Sequence, residues 1–230
     1  MTGDVLNACL LWDIDGTLVA HAPARRDRHA HAVRVVLDVD AQPVQLGTGK
    51  TDRQLVAEII GAHMEPDDAT IEAALDALDA ITTADLGLTP STPIPGVADI
   101  LAATARSQTP QLLLTGNTPL RAELKVRTAG LDQYFAFQDG FYGDQHATRF
   151  ELVEQAAGVF TGAAIAWTII IGDTPLDIAA ARSVGFPVIA VATGSSPFEE
   201  LADHQPDALL RDFGGGPAAF MDAVHVALRD

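Results

Sequence analysis

The sequence predicts a doubly wound parallel α/β sheet with an all-helical segment inserted near its start, and three observations carry that expectation. Apolar runs end in small polar motifs after Trp12, Leu114 and Ile171. Runs of that length closed by turn residues read as buried strands of a parallel sheet. From Val97 onward such runs alternate with helical spacing, the pattern of a Rossmann-like sheet covered on both faces. Between Val19 and Leu86 no strand signal occurs. The expected division is a core of residues 1–18 and 92–230 and a helical domain of residues 19–91.

Residues 1–7 lead into the first strand, Ala8 to Trp12. Arg25 to Leu37 has helical spacing, with His29, Ala32, Val33, Val36 and Leu37 recurring on one side. After the loop Leu46-Gly47-Thr48-Gly49-Lys50-Thr51, the stretch Asp52 to Met64 places Leu55, Val56, Ile59 and Ile60 on one helical face. A third helix starts at Pro66-Asp67-Asp68 and runs through Ile71, Leu75 and Leu78 to Ile81. Pro90, Pro93 and Pro95 stiffen the segment Leu88 to Gly96, a domain boundary. Val97 to Ala105 is helical, and Gln111 to Leu114 is a strand. Pro119 opens a helix that Gly130 stops. Arg149 to Ala157 is helical, Trp167 to Ile171 a strand, and Asp177 to Val184 a helix ending at Gly185. Pro187 to Val191, Phe198 to Asp203, Asp207 to Leu210 and Pro217 to Leu228 close the chain as strand, helix, strand and helix. Phe137 to Asp144, with two glycines, reads as a loop. Trp12 and Trp167 read as core.

With 230 residues and 48% hydrophobic content, the chain has enough material for a real core. A formal charge of −17 argues against nucleic acid or an anionic membrane as main partner. A small anion needs only a local positive focus and stays open. The single cysteine, Cys9, cannot form an intrachain disulfide and reads as a small core residue. No apolar stretch has the length of a membrane span, and the first residues lack a signal-peptide pattern. A cytoplasmic location is the expectation.

Ligands of open parallel sheets bind beyond the strands' carboxyl ends. Three strand ends here carry Asp13-Ile14-Asp15-Gly16-Thr17, Thr115-Gly116-Asn117 and Gly172-Asp173-Thr174-Pro175-Leu176-Asp177. Strand alternation would point Asp13 and Asp15 the same way, and two crowded carboxylates call for a positive partner, most simply a hard divalent cation. The residue types suit phosphoryl transfer, which needs positioning and charge neutralisation. Asp13 can act as nucleophile and Asp15 as acid and base. Magnesium bridging Asp13, a phosphate oxygen and Asp173 would offset the repulsion between nucleophile and substrate. The Thr115 hydroxyl, the backbone N–H groups of Gly116 and Asn117, and a lysine would hold the remaining oxygens. Lys125 is the only lysine after Lys50.

In this order, Asp13-Ile14-Asp15-Gly16-Thr17, Thr115, Lys125 and Gly172-Asp173 with Asp177 resemble the four motifs of the haloacid dehalogenase superfamily. The likeness is stronger to its phosphoglycolate-phosphatase-like and β-phosphoglucomutase-like branch, which carries a helical cap between the first and second motifs. It extends to Pro95-Gly96-Val97, Ala129-Gly130-Leu131 with Tyr134-Phe135, and Val191-Ala192-Thr193-Gly194. The resemblance implies Asp13 as nucleophile and magnesium ligand, and Asp15 as acid/base with its backbone carbonyl on the metal. It implies Thr115 and Lys125 as phosphate binders, Asp173 as a direct ligand and Asp177 as water-mediated support. Halide as leaving group is disfavoured, because the dehalogenases lack an aspartate at the place of Asp15.

The loop around Gly49-Lys50-Thr51 invites a nucleotide-binding P-loop reading, but Val44 stands where that motif needs its first glycine. As a cap loop, it could bring Lys50, Thr51 or Arg53 to the leaving group; as an exposed basic loop it would only aid solubility. The seven histidines show no metal-binding helical spacing, and no nucleophile elbow is present. The sequence therefore reads as a magnesium-dependent phosphatase for a small phosphomonoester, through an aspartyl-phosphate. Alternatives are a phosphotransferase or phosphomutase, a phosphonatase using Lys50, a signalling receiver, and a phosphate-sensing protein without turnover. Substrate identity and oligomeric state are not written in the sequence.

Overall fold

The computed structural model describes residues 8–21, 27–43 and 49–228. Its sheet has six strands: β1 (Cys9–Trp12), β2 (Gln111–Thr115), β3 (Phe141–Tyr142), β4 (Thr168–Gly172), β5 (Val188–Val191) and β6 (Ala208–Leu210). All neighbouring pairs are parallel, in the order β3-β2-β1-β4-β5-β6. The first strand is central, and the winding reverses beside it. This is where a crevice opens past the strand ends.

The strands are buried on both sides, and their residues alternate between two cores. Leu10, Trp12, Ile169 and Ile171 join one, beneath α4 (Val97–Arg106), α5 (Pro119–Thr128) and α9 (Gly216–Ala227). Leu11, Ile170, Val188 and Ala190 join the other, beneath α6 (Arg149–Val159), α7 (Pro175–Val184) and α8 (Phe198–Asp203). This two-sided burial explains why the strands read as unbroken apolar runs. Trp12 stacks on Phe220 with ring centroids 5.3 Å apart.

Threonines stop the strand–helix turns cleanly. Thr118, Thr148 and Thr174 each cap the following helix by accepting a backbone N–H three residues on. At Thr174 the bond is reciprocated by Asp177, a full capping box.

Three further helices form a body with its own core: α1 (Arg28–Leu37), α2 (Asp52–Gly61) and α3 (Asp68–Leu88). Val33, Val56, Ile59, Ile60 and Leu78 pack together there. Two extended connections link it to the sheet, side by side and antiparallel. Val19 bridges Pro93, the Ala20 N–H donates to Thr92 O (2.9 Å), and Ile94 N–H donates to Leu18 O (2.9 Å).

Several details differ from the sequence expectations. Phe141–Tyr142 is a strand, not a loop; two residues are too short for a periodic signal, and pairing with β2 alone makes it one. Trp167 precedes its strand in a 3₁₀ segment and is 42% exposed, so it is not core. Cys9 is only half-buried, and burial pushes its thiol up to about 11. α3 runs on to Leu88, well past Ile81. Arg25 and residues 44–48 of the glycine-lysine loop lie outside the described residues.

Candidate active site

β1 ends at Trp12, and the chain then turns tightly: Ile14 O accepts from the N–H groups of Thr17, Leu18 and Val19. Gly16 takes φ +89° within this turn, and a side chain there would collide with the Asp173 carboxylate. The alternation reasoning therefore does not reach Asp15. Asp13 and Asp15 line the same cavity of about 600 Å³, but they are engaged by different cations.

Asp13 Oδ1 accepts from Arg149 Nη2 (3.3 Å), and the same nitrogen donates to Asp177 Oδ1 (2.6 Å) and Leu114 O (3.2 Å). Arg149 is 1% exposed at the first turn of α6. Lys125 Nζ lies 2.5 Å from Asp15 Oδ2 and 2.6 Å from Asn117 Oδ1. Asn117 Nδ2 donates to Asp15 Oδ2 (2.8 Å) and to the Thr115 hydroxyl (2.7 Å). The loop after β2 and the helix after it thus present a hydroxyl, an amide and an ammonium to one spot.

Asp173 is fully buried. One oxygen accepts from the Thr17 hydroxyl (3.3 Å); the other, Oδ2, has no hydrogen-bond partner among the described residues, and His21 Nε2 stands 3.8 Å from it. One oxygen each from Asp13, Asp173 and Asp177 falls within 4.8 Å of the others. Burial raises the Asp173 carboxyl to about 6, with His21 working against the rise. Burial also pushes Asp13 well above the usual carboxylate range; Arg149 opposes this, and Asp177, Asp173 and Asp15 add to it. For Asp15, burial works upward but is outweighed by Lys125 and Asn117, which bring it down to about 2. His21 shifts upward, because Asp173 faces it.

Three carboxylates with oxygens within 4.8 Å of one another, two of them paired to one guanidinium, crowd buried negative charge together, and among the described residues one Asp173 oxygen has no hydrogen-bond partner. These features fit a hard, oxygen-ligated cation. Asp13 and Asp173 have oxygens to offer. Asp177 has both of its own committed, Oδ1 to Arg149 and Oδ2 to the Thr174 N–H and hydroxyl, so it suits a supporting place.

The structure brings Asp13, Asp15, Thr115, Gly116, Asn117 and Lys125 to the cavity wall, with Asp173 and Asp177 directly behind. The cap-loop candidates separate. Lys50 lines the cavity, with its ammonium on both Glu58 oxygens (2.8 and 2.7 Å). Thr51 is buried; it caps α2 and donates to His146 O (2.9 Å). Arg53 reaches Asp144 O and Asp68. Neither borders the cavity. Sequence reasoning missed Arg149, His21 and a buried group made of Asp52, Arg121 and His29. Only Arg149 left a trace: an arginine in a first helical turn opposes the helix dipole and needs a reason to be there.

A crevice at the switch point of a doubly wound sheet is where such folds take their ligands, and the carboxylates beside it suit a hard cation. The model of the haloacid dehalogenase-like hydrolases matches residues 8–185, and the chain belongs to that family. A phosphoglycolate phosphatase of Agrobacterium fabrum is 27% identical over 232 residues, covering 97% of each chain. Among solved structures, an Entamoeba histolytica hydrolase of family IA, variant 3, superposes with a TM-score of 0.73 at 17% identity, covering 96% of this chain and 99% of that one. A CbbY protein of Rhodobacter sphaeroides, solved with xylulose-(1,5)bisphosphate, gives 0.65 at 20% identity, covering 92% and 97%. Among the described residues, no helix is long and apolar enough to cross a membrane.

Proposed function

We propose that the chain is a magnesium-dependent phosphatase that hydrolyses a small phosphomonoester in the cytoplasm through an aspartyl-phosphate on Asp13. One observation carries the reading: a buried cluster of Asp13, Asp173 and Asp177, with oxygens within 4.8 Å of one another, adjoins a cavity lined by Asp13, Thr115, Asn117 and Lys125. Residues 19–91 would act as a cap over a core of 1–18 and 92–230, excluding water during phosphoryl transfer.

Asp13, Asp173 and the backbone carbonyl of Asp15 would hold the cation. When bound, it supplies positive charge against the phosphate oxygens and the nucleophile. Thr115, Lys125 and the N–H groups of Gly116 and Asn117 grip the phosphate. Asp13 attacks phosphorus, the ester P–O bond breaks, and the leaving oxygen takes a proton from Asp15. Water then gives one of its own protons to Asp15 and attacks the phosphorus; the acyl–phosphate bond breaks, releasing phosphate and restoring Asp13. Lys125 and Asn117 keep Asp15 ionised in the free protein, the form the hydrolytic half requires. A phosphate dianion arriving beside it competes for Lys125 and raises its proton affinity, the form the first half requires.

A panel of phosphate metabolites and p-nitrophenyl phosphate, assayed with magnesium, tests the reading. Release of inorganic phosphate is expected. Sugar-phosphate isomerisation without release would make the chain a mutase, and binding with no turnover would make it a phosphate sensor. The Agrobacterium relative makes phosphoglycolate the first substrate to try.

A further inference from the structure

Asp52 stands at the first position of α2, in the helical body, yet its contacts lie mainly across the boundary in the sheet-bearing part. Its backbone N–H donates to Gly116 O (2.7 Å), and its Oδ2 accepts from the Thr118 N–H (2.9 Å). Its Oδ1 accepts from His29 Nε2 (2.8 Å) and pairs with the Arg121 guanidinium. Arg121 is buried in its turn and donates from Nε to the Thr82 hydroxyl of α3 (3.1 Å). The Thr118 hydroxyl donates to Asp79 Oδ1 of α3 (2.5 Å). Asp52 therefore grips both ends of the segment Gly116–Thr118, which includes Asn117.

The fit is backbone against backbone. Gly116 faces the carbonyl of Lys50 and the Cα of Thr51 so closely that a Cβ would overlap the former. The loop that carries Thr115 and Asn117 is thus shaped, on its outer side, by the start of α2. Arg121 holds the Asp52 carboxyl well below the usual carboxylate range against the effect of burial, so the acceptor is charged and strong.

We propose that Asp52 is a positioning residue for the reaction: it pins the Gly116–Thr118 backbone and Arg121, so that the phosphate-binding loop takes its working shape only with the helical body seated. The role rests on the reading of Thr115–Asn117 as that loop. Asp52 needs no contact with the reacting atoms. It acts by fixing where the N–H groups and the Asn117 amide point, and misplacement on the order of 1 Å costs about a hundredfold in rate.

Three variants of the full chain test this: Asp52→Ala, Asp52→Asn and Asp67→Ala. Asp67 caps α3 by accepting from Thr70 N (2.9 Å), so its loss weakens the helical body without touching the loop. The readouts are amide hydrogen exchange at Gly116–Thr118, the melting temperature, and kcat and KM for p-nitrophenyl phosphate with magnesium. For Asp52→Ala, loop exchange should quicken by about tenfold or more, and kcat should fall about 10–100-fold with KM changing less. Asp52→Asn should lie between, because its amide oxygen can still accept the Thr118 bond. Asp67→Ala should melt earlier with loop exchange and kcat within about twofold of wild type. Unchanged loop exchange in Asp52→Ala overturns the proposal, as does Asp67→Ala reproducing its losses. Should Asp52→Ala not fold, the isosteric Asn variant decides by the same comparisons. A wild type that hydrolyses no ester would sink the phosphatase reading alone, while the exchange comparison still decides the pin.

Discussion

Two clusters of buried charge adjoin the same cavity, and they are built on opposite principles. Around Asp52, acceptors are matched by donors: Arg121, His29 and the Thr118 N–H share one carboxylate, and no oxygen of it is left over. Around Asp173, three carboxylates crowd together; the one guanidinium there, Arg149, pairs with Asp13 and Asp177, and a buried Asp173 oxygen has no hydrogen-bond partner among the described residues, only His21 3.8 Å away. A buried charge that is fully paired can be structural; one that is left short costs stability unless something arrives to complete it. The difference separates a fastening from a site, using charge balance alone.

That contrast can be tested from its strongest consequence downward. Asp13→Asn should reduce turnover by about a factor of 10⁴ or more while the variant still binds phosphate esters, as calorimetry would reveal. Retained turnover would remove Asp13 from the chemistry. Next, Arg149→Met strips from Asp13 and Asp177 the one cation that pairs with them among the described residues, and denaturant unfolding without metal should show a loss of about 3–5 kcal/mol. Magnesium should recover part of that loss, and Arg149→Lys should be milder. A Met variant as stable as wild type would mean the carboxylates are already neutral.

A smaller effect concerns Asp52 and pH. Its folded pKa is depressed below an unfolded value of about 4. The stability it lends is therefore complete above that unfolded value and is lost as pH falls through the depressed one. The stability gap between wild type and Asp52→Asn should be full at neutral pH and shrink below about pH 4, measured by urea unfolding. A gap that vanished near neutrality would mean that the carboxylate gains nothing from Arg121. The smallest change is expected of Lys50→Ala. Its ammonium is already neutralised by Glu58 at the cavity wall, so KM should shift by no more than about threefold. A larger rise would show that substrate draws Lys50 away from Glu58.

Much of the core was legible because its signals are local. The apolar runs at β1, β2 and β4 and the small polar residues closing them sit within a few residues of one another, whereas the threonine caps went unread. Asp13, Asp15 and Asp173 announced themselves as carboxylates directly after such runs. The short strand β3 had no such signal; it exists through pairing with Thr115 and Leu114. Trp167 looked like core because its neighbours are apolar, but the strand begins one residue later.

By itself, then, the sequence determined the strand–helix rhythm, the presence of helices and no strand between β1 and β2 among the described residues, and the carboxylates at the strand ends. Only the tertiary structure decided which charges meet: Arg149 with Asp13 and Asp177, Asp52 with Arg121, and Lys125 with Asp15. Periodicity and turn chemistry act over a few residues, whereas an ion pair depends on which distant strands the winding order sets side by side. A lone arginine or aspartate in a helix carries no mark of its partner until the sheet is assembled.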